Sequence, residues 1–276
     1  LGLYSGGMMG GSFSAILLNI PGTPSASATA MDGHPMARRG EAGRALGAAI
    51  IASFVGGLFS FICLYFIAPS LAELALQFRA PDLFGLVFFG LTVICSFAAK
   101  SIVKGLLSGL IGLILVTIGL DPIMGNPRFT FGDPDLLSGI HFLTAMIGLF
   151  AIPQLADNLL DIVKRGASFH AESSFGRVLT SLADLKLMRL PIAIGACIGT
   201  FIGILPGAGG PIAAFISYDY AKKSCENGSA FGSGTIEGVA APEAANNAVT
   251  GGALIPMMTL GIPGDPVTAI LIGALL

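Results

Sequence analysis

The residues best suited to binding a solute lie in one stretch, 237–266, of an otherwise very apolar chain. This stretch contains Glu243, the adjacent pair Asn246 and Asn247, and Asp265 inside a Pro-Gly-Asp-Pro sequence. Polar groups at membrane depth are costly unless they line a cavity or bind something. Backbone broken by Pro and Gly at that depth is tolerated only inside protein or beside water. We therefore interpret the stretch as one half of a solute-binding site.

A near-duplicate near the start of the chain supplies the other half. Residues 18–24 read LNIPGTP and residues 260–266 read LGIPGDP, so five of the seven positions are identical. A third break, PGAGGP at 206–211, precedes the second copy. Interrupted apolar segments at matching places in two halves of a chain are typical of a transporter's binding site.

The composition predicts a polytopic membrane protein. Hydrophobic residues make up 54% of the chain and charged residues 11%, and the mean hydropathy is +0.84, whereas soluble domains carry about 25% charged residues. A net charge of −2 gives no reason to expect nucleic acid as a partner. The four cysteines and three histidines show no metal-binding spacing. No signal peptide is visible, and we expect the chain to be a fragment of a longer protein, cut at both ends.

A new helix is predicted to start directly after each break. Thr, Asp and Gly suit the N-cap and Pro suits the first helical position. Free N–H groups and the positive end of the helix dipole then point into the gap, where they can seat a carboxylate. The alternative is a kink that only shapes a helix bundle. The predicted pairs of cap and first residue are Thr23 and Pro24, Gly210 and Pro211, and Asp265 and Pro266.

The apolar runs predict four spans, at 45–68, 83–99, 105–120 and 139–157. Between them, 32–44 is predicted to be a charged loop, 69–82 interfacial, and 121–138 the main external loop. With four crossings, most basic residues fall on one side, which the positive-inside rule makes cytoplasmic. Lys222 and Lys223 join that side only if 190–220 is a re-entrant hairpin with its tip at 206–211, which is a hypothesis.

The asparagine pair and the acidic residues suggest two different roles. Amide groups suit a carboxylate substrate or the shell of a cation, and Thr250 lies one turn beyond Asn246 and Asn247. No Lys or Arg occurs from 224 to 276, so an anionic substrate would be held by helix N-termini and by Asn, Ser and Thr. We interpret Asp265 and Glu243 as sites for a coupling Na⁺ or H⁺. No nucleotide-binding or hydrolase motif is present, and we predict no catalytic residues and no metal site.

Several long motifs place the chain near a known family. They are AILLNIPGTPSASATAMDGHPMARRGEAGRALG at 15–47, DPIMGNPRFTFG at 121–132, GTFIGILPGAGGPIAAFISYDYAKK at 199–223, and residues 237–276 entire. With these motifs the chain resembles the large membrane subunit, TctA, of the bacterial tripartite tricarboxylate transporter family.

The resemblance implies an all-α, multi-pass protein of the bacterial inner membrane, an elevator-like secondary transporter with two related repeats, inverted by analogy. It also implies a small membrane subunit (TctB-like), a periplasmic solute-binding protein (TctC-like) and citrate or another organic carboxylate as substrate. No cofactor is expected beyond the coupling ion. We expect residues 1–44 to end the first repeat, 45–189 to form the scaffold and 190–276 to form the second repeat.

The substrate is expected between the Pro-Gly tips. The predicted substrate-binding residues, taken from the family's motifs and the polar residues beside them, are Asn19, Pro21, Gly22, Thr23, Ser25, Gly207, Gly209, Gly210, Asn246, Asn247, Thr250, Pro263 and Gly264. Two alternatives from other classes are an uncoupled channel and an intramembrane enzyme that uses Asp265 and Glu243 as an acid/base pair. The enzyme lacks an evident nucleophile or metal set, and only flux data separate the channel from a coupled carrier.

Overall fold

The computed structural model describes residues 2–77, 102–121, 124–140, 180–206 and 208–275, with scattered positions between 79 and 178. The predicted spans 83–99 and 139–157 fall largely outside the described residues, as does Gly207. The described part is mostly helical, in agreement with the predicted all-α class. Contacts divide the chain into one unit formed by Leu1–Gln77 and Arg165–Thr268, and another formed by Phe78–Lys164 and Ala269–Leu276.

The elements follow one another in chain order, and each break predicted from Pro and Gly separates two helices. The α-helices are α1 (Gly2–Leu18), α2 (Ala26–Arg38), α3 (Ala42–Ala75), α4 (Ile102–Val116), α5 (Leu182–Ile204), α6 (Gly209–Ser224), α7 (Ile236–Leu260) and α8 (Pro266–Leu275). Two short strands, β1 (Gly119–Leu120) and β2 (Pro127–Arg128), pair antiparallel, and 3₁₀ turns occur at Pro134–Ser138 and Gly228–Ala230.

Helix α7 is the centre of the first unit. It packs against α3 and α5 over most of its length and also contacts α1, α2 and α6. Every residue from Ile236 to Met257 is buried, and most are small. Glycines bring the neighbours close, because a Cβ atom built on Gly199 of α5 would lie 2.7 Å from Ala245 Cα. Small residues at helix contacts are the usual way for apolar helices to pack in membranes.

The long helices agree in part with the predicted spans. Among the described residues, two helices are long and apolar enough to cross a membrane, Ala42–Glu73 and Leu182–Ile204. The first contains the predicted span 45–68, but α3 continues through Pro69 to Ala75, so the predicted interfacial segment begins as helix. Helices α5 and α6 pack against each other across their break. Whether this pair is re-entrant stays a prediction, since α5 has the length to cross alone.

In the second unit, the predicted turn-rich loop 121–138 contains the second strand of a short ribbon. Asp121 and Arg128 form an ion pair at 2.9 Å. The 3₁₀ turn at Pro134–Ser138 is capped by Asp133, whose side chain accepts a hydrogen bond from the Asp135 N–H. Turn formation at these Pro, Gly and Asp positions follows from their local hydrogen bonding and preset backbone angles.

The prediction that 32–44 is a loop is wrong except at 39–41, because α2 runs to Arg38 and α3 begins at Ala42. Asp32 is therefore a helical residue, and it is fully buried. Its carboxylate accepts hydrogen bonds from the N–H groups of Gly232, Gly234 and Thr235 at 2.7–3.0 Å. It also accepts one from the Tyr218 hydroxyl at 2.7 Å. A buried carboxylate needs such donors, and here they tie α2 to α6 and to the start of α7.

Replacing Asp32 with Asn should destabilise the protein strongly. The amide would place an NH₂ group against backbone N–H donors and would remove the charge that these donors satisfy. Breaking such a buried charged network costs about 3–5 kcal/mol, or a fall in melting temperature of roughly 6 °C or more for a protein of this size. Thermal unfolding of the purified full-length parent measures this.

Asp219→Asn is the matched control for Asp32→Asn. Asp219 lies on α6 and makes an exposed ion pair with Lys223, one turn away. Such surface pairs contribute about 0.5 kcal/mol or less. If the two variants melted at the same temperature, the Asp32 network would not hold these elements together.

Candidate functional site

The first break begins with a helix end of unusual backbone geometry. Asn19 ends α1 with a φ of 54°, in the left-handed region that Asn tolerates better than most residues. Its N–H donates to the Ala15 carbonyl at 3.1 Å, and the N–H of Ile20 donates to the Ser14 carbonyl at 3.3 Å. These bonds satisfy carbonyl groups at the end of α1 and turn the chain into the Pro-Gly pair.

The second copy ends its helix with the same hydrogen bonds. Gly261 has a φ of 67°, and its N–H donates to the Met257 carbonyl at 3.1 Å, while Ile262 donates to Pro256 at 3.2 Å. The spacings of four and six residues match those at Asn19. The sequence likeness of the two segments thus extends to their local backbone structure.

The two copies differ in how the helix that follows each of them begins. Asp265 caps α8 as predicted, because its Oδ1 accepts the Thr268 N–H at 2.8 Å. The predicted cap at Thr23 is wrong. Helix α2 begins at Ala26, whose N–H donates to the Thr23 carbonyl at 3.0 Å, and the Thr23 hydroxyl lies 3.2 Å from Ser25 Oγ instead. A tight turn therefore replaces the side-chain cap.

Three predicted site residues from different elements meet at one place. The prediction that Gly210 is the cap of α6 is wrong, because the helix begins at Gly209, whose φ of 64° marks the break, and Gly210 lies in its first turn. A Cβ atom built on Gly210 would lie 2.8 Å from Asn246 Oδ1 and 3.4 Å from Ser25 Oγ. The starts of α2 and α6 thus converge on the middle of α7. We call Ser25, Gly210 and Asn246 the polar junction.

The Asn246 amide is fully buried and held in one orientation. Its Nδ2 donates to the Met8 carbonyl of α1 at 3.1 Å, so the oxygen is the end that faces Gly210. Among the residues that the structure describes, no group donates a hydrogen bond to this Oδ1. Buried acceptors without a donor are rare in folded proteins, and they often mark a place for a ligand or an ion.

A buried carboxylate lies one turn before Asn246 on α7. Glu243 is fully buried, and Oε1 accepts hydrogen bonds from the hydroxyls of Ser12 and Thr29. Oε2 accepts one from Ser53 at 3.1 Å. The three hydroxyls come from α1, α2 and α3, and we call this group of four residues the hydroxyl cage. The ion pairs found among the described residues do not include Glu243.

Asn247 extends the hydroxyl cage by one residue. Its Nδ2 donates to Ser53 Oγ at 2.8 Å and to the Glu243 carbonyl at 3.3 Å. Thr250, also buried, donates to the Asn247 carbonyl at 2.6 Å. Like that of Asn246, the Asn247 Oδ1 is buried and accepts no hydrogen bond from the described residues. The asparagine pair therefore links the cage to the polar junction.

Comparison with known proteins supports the family suggested by the motifs. Residues 1–276 match the model of the family described as "Tripartite tricarboxylate transporter TctA family". The chain belongs to the TctA family. A protein of Agrobacterium vitis, named for its 52.8 kDa size and its place in the TAR-I ttuC' 3' region, is 42% identical over 276 residues, which is 99% of this chain and 54% of that protein. The chain thus spans about half the length of this relative.

A second relative covers a shorter part. An uncharacterized protein in the TAR-II ttuC' 3' region of Agrobacterium vitis is 50% identical over 76 residues, which is 28% of this chain and 31% of that protein. No solved structure matches the chain. The family's description names a membrane transporter system, and it does not describe an enzyme.

Two further predicted site residues of this TctA chain, Gly22 and Gly264, pack against other helices. Gly22 lies against Gly11 of α1, since a Cβ atom there would be 2.8 Å from Gly11 Cα. A Cβ atom built on Gly264, which follows Pro263, would lie 2.8 Å from Ala253 Cα of α7. A Cβ atom on Gly264 would also contact the Gly203 carbonyl oxygen near the end of α5, so contacts among the described residues bring the breaks of both copies to the α5–α6 pair. Asp265 Oδ2 accepts the Tyr4 hydroxyl of α1.

Glu237, at the start of α7, is buried and not solvated. Its exposed fraction is 5%, and Asn227 Nδ2 donates to Oε1 at 3.3 Å. Burial raises the pKa of the neighbouring Cys225 thiol, and the negative charge of Glu237 raises that pKa further. Glu237 is therefore a buried acid on the same helix as Glu243, with different partners.

Sequence reasoning missed most of the partners that hold the acidic residues. Ser12, Thr29 and Ser53 lie in small or apolar helical runs, where a single hydroxyl attracts little notice. The usable signal is that a hydroxyl in an apolar helix commonly bonds across to a neighbour. Which acid receives it depends on packing between distant segments, as the 231-residue separation of Ser12 and Glu243 shows.

Thr29→Val should destabilise the protein through the hydroxyl cage. Valine keeps the shape of threonine but removes one donor to a buried carboxylate, and a hydrogen bond to a charged group contributes about 1.5–3 kcal/mol. The control Thr259→Val removes only a hydroxyl that bonds back to Ile255 on its own helix, a bond that adds little. In thermal unfolding, Thr29→Val should melt at a lower temperature than Thr259→Val. Equal melting temperatures would argue against the cage.

Proposed function

We propose that this chain is the central part of a permease subunit that imports organic carboxylate anions by cation-coupled secondary transport. The observation that carries the proposal is the position of Asn246. It is a buried amide at the meeting point of two helix starts, one turn from the buried carboxylate of Glu243. An anion seat and a cation site would then share helix α7.

The polar junction supports the anion seat. Helix N-termini carry free N–H groups and a partial positive charge, which favour a carboxylate. Helices α2 and α6 both begin there. Because 224–276 contains no Lys or Arg, the partial positive charge of these helix starts and the Ser25 hydroxyl would hold the substrate, with Asn246, Asn247 and Thr250 behind them.

The hydroxyl cage supports the cation site. An ionised carboxylate in an apolar interior is costly without a positive partner, and Na⁺ or H⁺ would supply one. Like charges repel each other, so neutralising Glu243 would favour anion binding at the junction. Asp265 is the second coupling candidate, with one oxygen capping α8 and the other accepting from Tyr4.

The whole transporter would contain more than this chain. TctA membership supports a tripartite system in the bacterial inner membrane, with a small TctB-like membrane subunit. A periplasmic TctC-like binding protein would deliver citrate or a related carboxylate. An elevator-like movement of two related repeats would expose the site alternately to the two faces. The coupling ion is Na⁺ or H⁺.

Transport itself is tested in vesicles that contain the full-length parent, its small subunit and its binding protein. Radiolabelled carboxylates should accumulate above the equilibrium level when a Na⁺ or H⁺ gradient is applied, and only with the binding protein present. Equilibration without accumulation would instead indicate an uncoupled channel. Absence of any carboxylate flux would remove the proposed substrate class.

Glu243→Gln should separate coupling from binding. The amide keeps the size and one acceptor oxygen but cannot hold a cation by charge. Gradient-driven accumulation should fall at least about tenfold, while exchange of substrate across the membrane without a gradient persists.

Glu237→Gln is the matched control for Glu243→Gln, being a buried acid on the same helix with a different partner. Substrate accumulation by the Glu237→Gln variant should still depend on the gradient, as in the wild type. If Glu243→Gln retained full accumulation and Asp265→Asn lost it, the coupling role would belong to Asp265 instead.

A further inference from the structure

We propose that an anionic phospholipid binds in a groove between α5 and α6, with its headgroup phosphate at Lys186 and Arg189 and one acyl chain along the groove. The site lies in the first unit and includes neither the polar junction nor the hydroxyl cage. It requires only that the chain lies in a membrane, so it does not depend on the proposed substrate or on coupling.

An open groove of about 450 Å³ lies between the two helices. Its lining residues are Ala193, Ile194, Cys197 and Ile198 of α5 and Tyr220 of α6. Ala193 and Cys197 are exposed, whereas the glycines at 195 and 199 pack against α7. The groove is therefore on the side of α5 that faces away from the core, and its walls are almost wholly apolar.

Two cations continue the groove toward the start of α5. Positions 186, 189, 193 and 197 are three or four residues apart, so they lie along one face of the helix. Lys186 and Arg189 are both exposed, and neither takes part in the ion pairs of the described residues. Asp184, on the same turn as Lys186, is paired with Arg44 at 2.5 Å. The two cations are therefore free to bind a phosphate group, which Arg and Lys both favour.

The surroundings of the cations favour a lipid over a free anion. Leu187 and Leu190 have exposed fractions of 44% and 47%, and basic and apolar side chains lie side by side where headgroups meet acyl chains. From Arg189 to Ile198, α5 rises about 14 Å, close to the roughly 15 Å of hydrocarbon in one leaflet. One acyl chain can therefore follow the groove while the phosphate stays at the cations.

The position of this helix end favours an anionic lipid. Arg44 Nε, at the start of α3, donates to Asp184 at 3.0 Å, and Arg39, just after α2, donates to the Gly234 carbonyl before α7. These helix ends and their basic residues thus share one end of the unit. The positive-inside rule makes that end cytoplasmic, and the cytoplasmic leaflet has a negative surface potential.

Lipid titrations followed by native mass spectrometry of the purified full-length parent in detergent test this site. The probes are phosphatidylglycerol, which is anionic, and phosphatidylcholine, which has no net charge. The wild type should bind phosphatidylglycerol more tightly. In the double variant Lys186→Gln, Arg189→Gln, the loss of two cations should raise the dissociation constant of phosphatidylglycerol by about tenfold or more. Binding of phosphatidylcholine should not change.

The double variant Arg38→Gln, Lys222→Gln is the matched control. It removes two exposed cations from the last turns of α2 and α6, outside the groove, and it should keep the preference for phosphatidylglycerol. Ala193→Trp tests the groove itself, because the larger side chain should weaken binding of both lipids while the two cations remain. The wild-type comparison requires no variant, so it remains decisive even if a variant does not fold.

The other outcomes overturn the inference in distinguishable ways. Equal binding of the two lipids to the wild type would reject recognition of an anionic headgroup. An equal loss of preference in both double variants would indicate general attraction to the basic end instead of a site. Inorganic phosphate or glycerol phosphate binding as tightly as phosphatidylglycerol would reject the acyl groove. Absence of lipid binding would reject the site altogether, and the import of carboxylates would still stand or fall by its own test.

Discussion

The first unit depends on how the carboxylate of Glu243 is accommodated in the middle of α7. A charge in this fully buried position costs several kcal/mol unless donors surround it. Ser12, Thr29 and Ser53 supply those donors from α1, α2 and α3. One side chain thus fixes where three helices sit on the central helix. Any cation that binds Glu243 must compete with or join these hydroxyls, so its binding and the packing of the unit are linked.

Asp32 is a second buried carboxylate, and a different set of donors satisfies it. It uses backbone N–H groups before α7 and the hydroxyl of Tyr218, and it lies on α2, the helix that also supplies Thr29. Helix α2 is therefore bonded through Asp32 to the residues just before α7, and through Thr29 to Glu243 in the middle of α7. Because Ser25, the residue before α2, also forms part of the polar junction, the position of the proposed substrate seat depends on two buried carboxylates that would not touch the substrate.

The parts of this arrangement that depend on local sequence could be predicted, and those that depend on packing could not. The Pro-Gly breaks and the Asp265 cap follow from residue type and spacing. Thr23 was predicted as a cap because only the residue pattern was considered, whereas the chain forms a tight turn there. The hydroxyl cage and the Asp32 network join residues about 200 positions apart, and no local pattern indicates which distant donor meets which acid.

The uniform burial of α7 limits how such a site can change. All residues from Ile236 to Met257 are enclosed, and glycines such as Gly199 hold neighbouring backbones in contact with it. Rotating or sliding α7 alone would break the hydroxyl cage and these contacts together, and close-packed interiors do not deform gradually. The segments 20–24 before α2 and 204–206 before α6 are less enclosed, although Ser25 and Gly210 of the junction are buried. Any movement that opens the junction would therefore come from these segments, with α7 as the fixed element that the proposed anion and the proposed cation would both contact.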